Sequence, residues 1–148
     1  MKKLETFNEF LKESYETTTG QQTPNSPLAK LTLSLLAIRD QAHLFHWQTK
    51  SYAEHVALGE FYETFIDKVD SLMENIIAKT ARPEISNGTI TLSGYGTESL
   101  NAFLLKTKTT LKTEMLEAIS PKNNEEIWNI VEELKAMVNK LEYLLTLK

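Results

Sequence analysis

Four runs of apolar residues spaced three and four apart constrain this chain more than any other feature. Leu28, Leu31, Leu35, Ile38, Ala42 and Phe45 form the first run, and Leu58, Phe61, Phe65, Val69, Leu72 and Ile76 the second. Leu100, Phe103, Leu104, Leu111, Met115 and Ile119 mark a third, and Ile127, Ile130, Val131, Leu134, Val138, Leu141, Leu144 and Leu145 a fourth. This spacing gathers each set on one stripe of an α-helix, and such a stripe must be buried against other helices. Ser26 is placed as N-cap of the first helix, with Pro27 at its first position. A short turn near Lys50–Ala53 makes helices one and two antiparallel, and the second ends before Arg82-Pro83. Residues 83–98, PEISNGTITLSGYGTE, break the period; Asn87-Gly88, Gly94 and Gly96 supply turn chemistry, and Thr89–Leu92 suits one extended segment. The third helix stops at Ser120-Pro121 and the fourth begins after Asn123 and Asn124. The fold expected is all-α, a four-helix bundle with one long crossover between helices two and three.

Upstream of the bundle domain, 27–148, the chain changes character. Residues 1–13 hold an amphipathic stretch with Leu4, Phe7, Phe10 and Leu11 on one side, and 14–26 read as a flexible linker. A length of 148 residues suits a single core-forming unit. The net charge of −4 argues against a chain held to nucleic acid or anionic membrane by its own charge. With no cysteine, disulfides and thiolate chemistry are excluded, so a metal would need His and carboxylate ligands. Glu5, Glu9 and Glu13 interrupt the N-terminal segment, which is therefore neither a signal peptide nor a membrane span, and a cytoplasmic location is expected.

All three histidines fall in one stretch, HLFHWQTKSYAEH, from His43 to His55. At 100° per residue with His55 at zero, the apolar stripe of helix two centres near about −75°, whereas His55, Gly59, Asp70 and Glu74 lie between about 0° and 100°. Asp70 and Glu74 are four apart and project from the same face. His55 and Asp70, however, are separated by about 22 Å along the axis. One chain cannot close that gap, but antiparallel packing of helix two on its own copy brings the His end of one chain to the carboxylate end of the other. His46, across the short turn, lies close enough to join His55. His43, one turn back from His46, is read as a surface or packing residue that can support it. Imidazole and carboxylate without thiolate suit Fe(II), Zn or Mn, and open coordination positions favour redox work at iron.

His46-Trp47-Gln48-Thr49-Lys50, followed by His55, Leu58, Phe61-Tyr62, Phe65, Val69-Asp70 and Glu74, resembles the signature of the Dps miniferritins, members of the ferritin-like superfamily. The residue match covers about 43–77, and the order of helices extends it over about 27–147. The resemblance implies a hollow dodecamer that oxidises Fe(II) with peroxide or oxygen and stores the product. Its ferroxidase site would take His46 and His55 from one subunit and Asp70 and Glu74 from its neighbour, with Trp47 beside them. Three features depart from the family. Gly59 stands where the family has an Asp, so one carboxylate is missing and a weaker or altered site is expected. The spacing from His46 to His55 is three residues shorter. A lysine-rich tail is absent, and direct DNA binding is not expected.

The opening MKKLETFNEFLKE is similar to the capsid-targeting peptides of internal head proteins in large tailed bacteriophages, with Leu11-Lys12-Glu13 as the processing site and the cut after Glu13. This resemblance implies a location inside a phage head. It also carries an alternative function: a ferritin-like structural or internal virion protein, without catalysis, whose metal site has degenerated at Gly59.

Overall fold

The computed structural model describes residues 26–96 and 99–147. The amphipathic segment 1–13, the cut after Glu13 and the linker up to residue 25 lie outside the described residues. Four helices account for the fold, and no strand occurs among the described residues. Helix α1 spans Pro27–Gln48 and α2 spans Tyr52–Lys79. Helix α3 runs through Leu100–Thr109, a π-helical turn at Thr110–Glu114, and Met115–Ala118. Helix α4 spans Glu125–Leu144. None of these helices is long and apolar enough to cross a membrane.

The helices begin where the side chains can satisfy free amides. Ser26 Oγ accepts from Ala29 N at 3.0 Å and Pro27 opens α1, as the sequence predicts. Ser51 caps α2 through Glu54 N, and Ser99 caps α3 through Ala102 N. Asn123 takes a positive φ of 64°, a conformation Asn tolerates better than most residues, and the chain turns there into α4.

Ion pairs fix the directions. Lys79 meets Glu126 at 2.5 Å, Lys68 meets Glu133, and Lys140 meets Glu60 at 2.6 Å, so α4 runs antiparallel to α2. Lys30 approaches Glu117 at 3.9 Å while the Phe45 and Phe103 rings lie 5.8 Å apart, so α3 is antiparallel to α1 and parallel to α2. These exposed pairs contribute little energy each. The stability lies in the core, where Leu31, Leu35, Phe45, Leu58, Phe65, Leu72, Ile76, Leu111, Met115, Ile127, Leu134 and Leu141 are essentially sealed from solvent. Phe45, Phe61 and Phe103 meet edge to face near the α1–α2 turn and join three helices there.

Between α2 and α3, residues 81–96 carry neither helix nor strand; the expected extended segment Thr89–Leu92 forms no strand pairing. Hydrogen bonds hold this connection along α1. The buried amide of Gln41 gives its Nε2 proton to Ser93 O and accepts from Ser93 N, both at 2.8 Å, as a second strand would. Tyr95 N donates to Gln48 Oε1 at 2.8 Å, and the Tyr95 hydroxyl donates to Glu54 Oε2 at 2.6 Å. Glu54 is only 8% exposed and also receives the Thr49 hydroxyl at 2.5 Å. The bond to Glu54, and then burial, raises the Tyr95 phenol above its ordinary range.

Tyr95→Phe leaves a buried carboxylate oxygen with one donor fewer, and urea denaturation should show a loss of about 1–3 kcal/mol. Because its folded-state pKa is raised, the stabilisation from Tyr95 is complete below the ordinary value of 10.0 and fades as pH rises through the folded value. The alkaline decline in stability should therefore be shallower in Tyr95→Phe; an identical decline in both proteins would exclude this contact as its source.

Candidate metal centre

Only residues 49–51 separate α1 from α2, and this short turn brings the last turn of one helix over the first turns of the next. The imidazoles of His46 and His55 stack there, with centroids 3.8 Å apart and an interplanar angle of 18°. Their anchoring is reciprocal. His46 Nδ1 lies 2.7 Å from His55 O, and His55 Nδ1 lies 2.9 Å from His46 O. A carbonyl oxygen can only accept, so each Nδ1 carries the proton. Each neutral ring is then the tautomer whose Nε2 has a free lone pair, the form that binds a metal.

An imidazole lone pair lies in its own ring plane, and metal–nitrogen bonds are about 2.0–2.1 Å long. Two nearly parallel rings stacked at 3.8 Å cannot both direct Nε2 at one ion unless one of them turns. The pair therefore offers two single-imidazole positions side by side.

Gly59 explains how His46 fits. A Cβ built on Gly59 would stand 3.0 Å from His46 Cε1 and 3.1 Å from His46 Nδ1. The ring rests on the bare backbone of α2, in the volume that a side chain at 59 would need. The short turn and the glycine therefore act together, since the turn brings His46 onto α2 and Gly59 leaves it room. A side chain at this position would press on the His46 ring.

His43 has a different environment. It stacks on Tyr62 at 4.0 Å and 18° and touches Trp47 at 4.0 Å, with the Arg39 guanidinium 5.8 Å above the Tyr62 ring. Burial, followed by the nearby positive charge of Arg39, lowers the His43 pKa. It is a packing residue against Tyr62 and Trp47, and its centroid lies 6.2 Å from that of His46.

Asp70 and Glu74 are exposed on the same outward face of α2, well along the helix from His55. The structure brings His46 and His55 together and does not bring either carboxylate to them; no group of three or more His, Cys, Asp or Glu converges among the described residues. Around the histidines, Trp47 is 69% exposed, Tyr52 82% and Val56 48%. Ile66, Met73 and Ile77 are half-buried further along the same face of α2. On the outward side of α2, Tyr52 and Val56 are thus exposed apolar groups, whereas Ile66 and Met73 lean partly on the core.

Sequence reasoning missed Glu54, the buried anchor behind the turn. Its signal was present, because Ser51-Tyr52-Ala53-Glu54 has the spacing of a capping box.

In fold and site, the molecule is an all-helical protein with a pre-ordered histidine pair at one end of α2 and two exposed carboxylates toward the other. Residues 46–145 match the model of a family described as Family of unknown function (DUF5856), and the chain belongs to that family. The matched span begins at His46 and includes His55, Asp70 and Glu74. No curated protein and no solved structure matches the chain.

A double-mutant cycle tests the cradle. Gly59→Ala should destabilise by about 1–3 kcal/mol, because the His46 ring, stacked on His55 and bonded to its carbonyl, must shift to make room. With His46→Ala already made, the same change should stabilise by about 0.5–1 kcal/mol, the ordinary helix preference for Ala. Equal effects in both backgrounds would show that the ring does not rest on Gly59.

Proposed function

We propose that the chain is a ferritin-like bundle of the miniferritin type that binds and oxidises Fe(II) at a site shared between two subunits, and holds the product in an oligomeric shell. The order of helices supports the ferritin-like reading: α1 and α4 point one way, α2 and α3 the other, and a long connection returns along α1 between the middle pair. His46 and His55 would come from one subunit, and Asp70 and Glu74 from its two-fold partner across the uncovered face of α2. The observation that carries the reading is the reciprocal Nδ1–H bonding, which holds both imidazoles in the ligating tautomer on an exposed, partly apolar surface.

Iron is the substrate in this reading. The two Nε2 atoms give a position to each of two ions, and two Fe(II) ions supply the two electrons that reduce one peroxide to water. Carboxylates from the partner would offset the positive charge that grows as Fe(II) becomes Fe(III). Trp47 and Tyr52 would be covered in the interface and keep bulk water from the site.

Anaerobic Fe(II) titration should show two ions per shared site in the wild type and a loss of at least tenfold in affinity in His55→Ala. Equal binding and equal oxidation rates in the two proteins would sink the proposal. Subunit mixing tests the sharing directly. His55→Ala and Asp70→Asn should each be inactive alone, and their mixture should recover activity, because a mixed pair contains one site with both intact halves. No recovery on mixing, with dimers present, would rule out a site built from two chains.

A further inference from the structure

We propose that the cleft between α1 and α3 binds a small aliphatic primary amine in its ammonium form, through the carboxylate of Glu114. The cleft has a volume of about 440 Å³ and is lined by Ser34, Ile38, Phe103, Thr107, Thr110 and Glu114, among others. It shares no residue with the histidine pair and does not depend on iron chemistry. Glu114 Oε2 is buried, and no donor among the described residues reaches it. A carboxylate oxygen removed from water without a donor is costly, so its presence beside a cavity points to a ligand that donates.

The π turn at Thr110–Glu114 builds this wall. Thr107 Oγ1 donates to Phe103 O and Thr109 Oγ1 to Leu105 O, both at 2.9 Å, and these bonds compete with the i→i+4 ladder of α3. The helix widens immediately afterwards, as π turns at functional sites do. Thr110 Oγ1 then lies 3.4 Å from Glu114 Oε1, too far for more than a weak bond, and its hydroxyl is free to turn toward a ligand.

The remaining lining decides the class of ligand. An ammonium group has three donors, which Glu114 Oε2 and the hydroxyls of Thr110 and Ser34 can accept. Ile38, Ala37 and Phe103 give an aliphatic chain an apolar bed, and Lys106, which is exposed and already has a partner, also lines the cleft. From Ser34 to Gln41 the α1 side of the cleft is about 10 Å long, and Gln41 is committed to Ser93. A divalent metal is a poor match, since it requires several oxygen ligands and the cleft has one carboxylate.

Calorimetric titration with butylammonium chloride tests the site, with 1-butanol and magnesium chloride as comparison titrants. The wild type should bind butylammonium saturably and at least tenfold more tightly than 1-butanol, and Glu114→Gln should lose at least tenfold. Ala37→Phe should fill the cleft and abolish binding without touching Glu114, with helicity checked by circular dichroism. Should Glu114→Gln lose helicity, Ala37→Phe decides alone. No saturable binding, a preference for 1-butanol or magnesium, a loss below tenfold in a folded Glu114→Gln, or binding retained in Ala37→Phe would each overturn the proposal.

Discussion

The turn at residues 49–51 is the constraint on which the rest of this structure hangs. A connection so short forces α1 and α2 into close antiparallel contact, and their facing residues must then solve a crowding problem at the closed end. Phe45 and Phe61 meet the Phe103 ring from α3 on the inward side. On the outward side His46 lies flat against His55 and over Gly59, which has no side chain to oppose it. Glu54, at the N-terminus of α2, gathers the hydroxyls of Thr49 and Tyr95 and fastens the α2–α3 connection to the same place. Core, candidate site and the α2–α3 connection are therefore coupled through a few residues at one end of the molecule.

Much of the helical framework was legible because the apolar spacing has a single good solution. Runs such as Leu58-Phe61-Phe65-Val69-Leu72-Ile76 allow no strand reading, and each of these residues is buried. The cap at Ser26 was visible for a local reason, and so was the start of α4 after Asn123 and Asn124. The π turn was not, because Thr107 and Thr109 look like polar interruptions in a sequence; their effect comes from hydroxyl bonds to carbonyls, which depend on rotamer. Gly59 was legible as a departure but not in its meaning. A missing side chain in a sequence records only what is absent, whereas its role depends on what occupies the space.

Residues one turn apart on a helix can be paired from sequence, and Asp70 with Glu74 is such a case. Contacts across a turn are harder. The spacing brought His46 near His55 but gave no orientation of the rings, and orientation separates one two-nitrogen site from two positions of one nitrogen each. On the outward face of α2 the sequence shows a mixed stripe of Tyr52, Val56, Ile66, Met73 and Ile77, but not which of them lean on the core and which stand in solvent.

The partners that orient the Nδ1 atoms of His46 and His55 are main-chain carbonyls, each supplied by the other histidine's own peptide unit. In many metal sites that task falls to a neighbouring carboxylate, and a single substitution there can undo it. Here no other residue's side chain is the partner, so exchanging neighbours leaves the tautomer in place while the turn keeps its course. Such a pair is tolerant of sequence drift around it and intolerant of insertion: one residue added between Gln48 and Tyr52 would do it more harm than many replacements.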